Sequence, residues 1–210
     1  IAMPDQVCVG ATKNYWVDTT STINSTYEWK IDGITVQNST VALFKKTWNV
    51  AGTFTISVQE TSADGCLGEI RTGQVFVTDN LLVSVSLLAE PNPVCFGEDV
   101  LFTATADNGG TNPVFSWFVD QGTGYTMVQS GSGNTYAYAP LNGDLIYVML
   151  ESSETCSTGS PATSEIIQMQ VDPLLPVTVS IDPLPPLICE GTEITLTASP
   201  VNGGTNPVFS

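Results

Sequence analysis

Along most of this chain apolar and polar residues alternate in short runs, and turn residues break the runs every eight to twelve positions. "VLFTATA" at 100–106 and "LIYVMLE" at 145–151 are typical, each rich in β-branched or aromatic side chains. A period of two places alternate side chains on opposite faces of a strand, so one face packs and the other meets water. Between positions 81 and 173 the pattern predicts strands at Val83–Leu88, Asp99–Ala106, Val114–Val119, Tyr125–Gln129, Leu145–Glu151 and Glu165–Val171. No stretch keeps a 3.6-residue apolar period over more than two turns. The expected fold class is therefore all-β, with sandwich-like units.

Repetition organises these strands. Shifting the chain by 94 positions aligns Ala89–Ser116 with Pro183–Ser210 without a gap, and 14 of the 28 pairs are identical. "NGGTNPVFS" recurs unchanged at Asn108–Ser116 and Asn202–Ser210. The first 80 residues follow the same plan at lower identity: "VCVG" at 7–10 parallels "VCFG" at 94–97, and "YEWKIDG" at 27–33 parallels "FSWFVDQG" at 115–122. Three units are expected, at 1–80, 81–173 and 174–210, the last holding only the start of a repeat. Trp29 and Trp117 fall on the third main strand, where a sandwich buries an aromatic between its sheets. "NGGTNP" reads as the turn between the second and third main strands: glycine tolerates positive φ, and Asn-Pro enforces an extended exit. The junction prolines Pro173, Pro176, Pro183, Pro185 and Pro186 favour stiff, extended links, so the units are expected end to end as a rod.

Composition narrows what such units do. Twenty-one acidic residues face five basic ones, for a net charge of −16, and nothing after Arg71 is positive. That field repels phosphate backbones and anionic lipid, which excludes nucleic acid as a partner. No run approaches the roughly 20 apolar residues of a membrane span, so no membrane insertion is expected. The chain has no histidine, which removes the commonest general base and zinc ligand. There is no GxSxG elbow, and the Gly-rich Ser130–Asn134 lacks the lysine of a phosphate loop. The chain is expected not to be an enzyme and to carry no cofactor. Calcium stays open as a ligand, although the carboxylates are scattered and form no Asp-x-Asp-x-Asp-Gly loop.

Five cysteines lie at 8, 66, 95, 156 and 189. Two per complete unit, at similar separations, predict bridges Cys8–Cys66 and Cys95–Cys156, with Cys189 unpaired in this stretch of sequence. Such pairing implies an oxidising compartment. One geometric objection stands against it. Cys95 precedes the second main strand and Cys156 follows the fifth, Leu145–Glu151, which puts them at opposite ends of a plain sandwich.

The segments "DQVCVG", "GTFTISVQETSADGCLG" and "NPVCFGEDVLFTATADNGGTNPVFSWFVD" resemble the PKD-type and Ig-like repeats of large secreted proteins of Bacteroidota, across nearly the whole chain. The resemblance implies β-sandwich modules in gliding-adhesin-like or type IX-exported surface proteins. Such modules act chiefly as spacers. The expected function is a structural stalk or filament segment of an extracellular, cell-surface protein, its partners being neighbouring repeats of the same chain and other copies of itself. Two alternatives stay open. One is a module binding surface glycans or calcium, with Tyr125, Tyr136 and Tyr138, which read first as ordinary strand packing, as the aromatic candidates; the other is an accessory region of a secreted hydrolase. Asn24–Thr26 and Asn38–Thr40 match an N-glycan acceptor, and Asp18–Thr20 matches an O-glycosylation site of that bacterial group.

Overall fold

The computed structural model describes residues 5–17, 24–182 and 187–209. Every regular element among them is a strand. Seven build the first sandwich: β1 (Asp5–Cys8), β2 (Thr12–Trp16), β3 (Thr26–Ile31), β4 (Ile34–Ser39), β5 (Leu43–Thr47), β6 (Gly52–Thr61) and β7 (Arg71–Thr78). One sheet runs β1-β7-β6-β3-β4, and the antiparallel pair β2-β5 forms the other. Within the large sheet β1 runs parallel to β7 while the remaining pairs are antiparallel. Alternation selects the inward face: Tyr27 and Trp29, Ile56 and Val58, and Val75 and Val77 are all buried. They meet Tyr15 and Phe44 of the small sheet in one cluster, with Trp29 stacked on Phe44 at 5.5 Å between ring centroids. The β3–β4 hairpin turns on Asp32 and Gly33, both at positive φ, the geometry a two-residue hairpin requires.

A short segment, β8 (Leu81–Leu82), leads into the second sandwich. This contains β9 (Ser84–Glu90), β10 (Val94–Cys95), β11 (Val100–Asp107), β12 (Val114–Asp120), β13 (Thr126–Gly131), β14 (Thr135–Tyr138), β15 (Leu145–Glu151), β16 (Ser157–Thr158), β17 (Ala162–Thr163), β18 (Ile167–Gln168) and β19 (Val171–Asp172). Sheet β14-β11-β9 faces sheet β13-β12-β15-β17, with β18 also paired to β15. Val100, Phe102 and Ala104 oppose Phe115, Trp117, Val119, Ile146, Val148 and Leu150. Trp29 and Trp117 hold equivalent places and are fully buried. In both, the indole N–H lacks a hydrogen-bond partner, so these rings act through packing.

The chain is thus all-β and Ig-like, with one buried cluster drawn from residues 7–77 and a second from 83–171. Beyond it β20 (Thr178–Ile181) and β21 (Ala198–Val201) form a hairpin, exposed along its length. Its register pairs Thr178 with Val201 and Ile181 with Ala198. The same pairing, 94 residues earlier, joins Ser84 to Asp107 and Leu87 to Ala104. The sequence period is therefore a period of strand register. Of the junction prolines, Pro183, Pro185 and Pro186 lie outside the described residues.

Candidate functional site

The cysteines pair differently from the expectation of one bridge per unit. Cys8 is joined to Cys156, with a Cα–Cα distance of 5.3 Å across a sequence separation of 148. Cys66, Cys95 and Cys189 are free and exposed. Strand direction explains the difference. Cys8 sits beside Thr78 at one end of β7, whereas Cys66 lies in the β6–β7 connection, beyond Arg71 at the other. An eight-residue strand separates those ends by about 23 Å, far beyond the ~7 Å a disulfide tolerates. Cys95 and Cys156 are kept apart in the same way. Cys95 pairs with Asp172 near the start of β15, and Cys156 follows its end. The bridge that forms instead ties the outgoing end of the first sandwich to the incoming end of the second.

Backbone pairing reinforces this junction. β8 runs parallel to β16, with Leu81 opposite Ser157 and Leu82 opposite Thr158. The Leu81 N–H donates to the Cys156 carbonyl at 2.8 Å, and the Val83 N–H to the Thr158 carbonyl at 2.9 Å. Asn80 Nδ2 reaches back to the Val9 carbonyl at 3.0 Å. The link between sandwiches is therefore a paired segment held on both sides.

The recurring "NGGTNP" loop belongs to the same end. Asn108 adopts positive φ, and its Nδ2 donates to the Leu82 carbonyl at 2.7 Å. The Asn108 carbonyl accepts from Ser152 Oγ at 2.7 Å. The Gly109 carbonyl accepts from the Ser153 N–H at 3.0 Å, while the Asn112 N–H donates to Ser153 Oγ at 2.9 Å. Gly110 presses so closely on this neighbour that a Cβ would collide with Ser153 Oγ and lie 2.6 Å from the Glu154 nitrogen. The loop thus holds the linker on one side and, on the other, the 152–160 segment that carries Cys156. Its second copy repeats the linker contact: Asn202 Nδ2 donates to the Pro176 carbonyl at 2.9 Å, again shifted by 94.

The three candidate tyrosines separate. Tyr136 and Tyr138 point inward from β14 and pack on Phe102 at 6.2 and 5.6 Å. Tyr138 OH donates to Asp144 Oδ2 at 3.1 Å, and the Leu141 N–H donates to the same oxygen at 3.0 Å. Burial, with the Asp144 charge beside it, pushes the Tyr138 hydroxyl pKa well up. Burial alone raises that of Tyr136. Tyr125 faces outward, 40% exposed, edge-on to Tyr147 at 4.8 Å. Tyr147 in turn stacks flat on Phe118 at 4.8 Å and 7°. Sequence reasoning missed Phe118 and Tyr147. The signal was their position: each sits one place from a buried residue on β12 or β15, and so on the outer face.

In the first sandwich, Trp48 Nε1 donates to Tyr15 OH at 3.0 Å, Tyr15 OH to Asp5 Oδ2 at 3.3 Å, and Lys13 pairs with Asp5 at 3.3 Å. Burial, supported by the Asp5 charge, raises the Tyr15 pKa to about 12 against the lowering effect of Trp48. A cavity of about 160 Å³ lies between Ile31, Trp48 and Phe54, small beside the 300–1,000 Å³ of ordinary ligand sites. Among the described residues no three acidic or cysteine side chains gather into a metal-binding group. Asn38 lies on the exposed strand β4 opposite Glu28, and Asn24 occupies a positive-φ turn. Asp18–Thr20 falls outside the described residues.

No family model and no curated protein matches this chain. Among solved structures, the fibronectin(III)-like modules of Clostridium thermocellum CbhA are 19% identical over 80% of this chain and 90% of theirs, at a TM-score of 0.43. The amphioxus IgVJ-C2 molecule is 16% identical over 79% of this chain and 99% of its own, at 0.36. A Bacteroides ovatus mixed-linkage glucan utilization protein, SGBP-B, is 15% identical over 80% of this chain and 42% of its own, at 0.31. At TM-scores below 0.5 these likenesses carry no weight; the fold rests on the sheet topology itself.

Proposed function

We propose that this chain is a load-transmitting segment of an extracellular, surface-associated repeat protein, built from sandwiches stacked end to end. The Cys8–Cys156 bridge carries the reading, because it fastens one sandwich to the next where a tether would otherwise bend. A disulfide persists in an oxidising compartment, which supports a location outside the cytoplasm. A chain without histidine, its carboxylates scattered along the sequence, suits a spacer better than an enzyme. Exposed strands such as β4 are the natural contacts for other copies of the chain in a filament.

Pulling on the two ends of the chain tests this. With the bridge intact, the force path runs from Cys8 directly to Cys156, and the residues between them cannot extend. Reduction should release about 530 Å of additional contour length, for a separation of 148 residues at up to ~3.6 Å each. Equal extension of the oxidised and reduced chains would overturn the load-bearing role.

A second reading rests on Tyr125, Tyr147 and Phe118. Stacked, partly exposed rings on an outer sheet face suit the apolar face of a sugar. The joint substitution Tyr125→Ala and Tyr147→Ala should abolish retention on a glycan array while leaving thermal unfolding within a few degrees of the parent. A parent chain that binds no glycan on the array rules this reading out.

A further inference from the structure

The bridged cysteines have counterparts that are free, and the counterparts occupy matching places. Cys8 ends β1, which runs parallel to β7, and the following Val9 N–H donates to the Thr78 carbonyl at 3.0 Å. Cys95 ends β10, which runs parallel to β19, and the following Phe96 N–H donates to the Asp172 carbonyl at 2.9 Å. Gly10 and Gly97, two residues beyond each cysteine, have φ of 86° and 87°. Cys189 occupies the same place 94 residues on, with Gly191 at 85°. On the other side, Cys66 follows β6 just as Cys156 follows β15, in the connection at the opposite end of its sandwich. Each complete sandwich therefore carries one cysteine of each kind, one at either end. Only the pair that meets across the observed junction is joined.

We infer that Cys95 and Cys66 are the two halves of further bridges of this kind: Cys95 takes the late-loop cysteine of a following sandwich, and Cys66 takes the β1-type cysteine of a preceding one. The partner in each case is another Ig-like module of this repeat type. The junction contacts already recur where the next module begins, since Asn202 holds the Pro176 carbonyl as Asn108 holds that of Leu82. Each bridge forms as two thiols lose two protons and two electrons to a disulfide oxidant, which is reduced to two thiols. The resulting loops overlap. A bridge at Cys95 closes over the stretch between Cys95 and Cys156 that the first bridge already spans, so neighbouring modules are interlocked as well as joined. This pattern goes beyond the load-bearing reading and stands on the repeat geometry alone. A failed pulling experiment would leave it untouched.

The test appends Trp117–Pro173 after Ser210, completing the third sandwich at the alignment of Ser116 with Ser210. The extended chain is oxidised with a glutathione redox couple, its free thiols are alkylated, and its peptides are mapped without reduction. A bridge between Cys95 and the appended copy of Cys156 is expected, with Cys66 and Cys189 alkylated. Pairing of the appended cysteine with Cys189, or an alkylated Cys95 beside a protected third core, would overturn the inference. A second variant does not depend on the added sandwich folding. In the 210-residue chain, Cys8→Ser should leave Cys156 a free thiol, because its remaining candidate in the same sandwich lies at the far end. Formation of Cys95–Cys156 in that variant would overturn the inference equally.

Discussion

Gly110 shows how much a single position of the repeated loop is asked to do. It combines φ of 75° with backbone and side-chain neighbours that leave no room for a Cβ. Gly110→Ala must relieve both the left-handed strain and the overlap with Ser153 and Glu154, and should destabilise the second sandwich by about 2–4 kcal/mol in chemical denaturation. At Gly204, its copy, a Cβ meets nothing within 4 Å, so Gly204→Ala should show only the smaller cost of the backbone conformation. Tyr15 gives the residue scale a second measurable consequence. Its pKa is raised from 10.0 to about 12 by burial, so the folded state holds the proton more tightly than the unfolded one does. Its contribution to stability is complete below pH 10 and is lost as pH rises toward 12. Denaturation midpoints measured from pH 9 to 12 should fall, and Tyr15→Phe should remove part of that fall. The burial of Trp29 and Trp117 could be read from their place on the third main strand of a sandwich, and the packing of Tyr136 and Tyr138 agrees with the plain strand reading, which did not separate them from Tyr125. "NTYAYAP" alternates perfectly well, but alternation does not say which face is the core.

Among the elements, most of the strands predicted between 81 and 173 are found within a residue or two of their expected limits. The two-residue strands β8, β10 and β16, the strand β14 and the broken run β17–β18–β19 are the departures. Alternation marks a strand where two sheets sandwich it, but a last strand that pairs in short pieces leaves a weaker trace. The junction prolines all lie beyond Asp172, and the linker between the two sandwiches, residues 79–83, holds none. What stiffens that linker is either its own extended chain or the β8–β16 pairing with Asn108 on the Leu82 carbonyl. Hydrogen exchange separates the two origins. Asn108→Ala should speed exchange of the Leu81 and Val83 amides, which donate to Cys156 and Thr158, by about tenfold, corresponding to a loss of roughly 1.4 kcal/mol of local protection. Unchanged exchange would assign the stiffness to the chain itself.

For the whole molecule, the period of 94 residues was legible at once, and its consequence for the cysteines was not. Counting cysteines by unit pairs the two that are nearest in repeat arithmetic. A sandwich, however, places its first and last connections at opposite ends, so the partner within reach belongs to the neighbour. The objection from strand direction was already present in the order of Cys95 and Cys156 along the chain; what sequence could not supply was that the next sandwich delivers its loop to that point. "NGGTNP" changes meaning in the same way. It is a turn, as expected, and it also positions the loop that receives the preceding sandwich's cysteine.

Closing a loop of this length contributes on the order of 5 kcal/mol in the chain-entropy estimate when both sandwiches unfold together, for the separation of 148. The covalent connection itself is the most direct point to measure. Non-reducing peptide mapping of the oxidised 210-residue chain should recover one cross-linked pair, joining the Cys8 and Cys156 peptides, with Cys66, Cys95 and Cys189 alkylated. Recovery of Cys8 with Cys66 and of Cys95 with Cys156 would contradict the account.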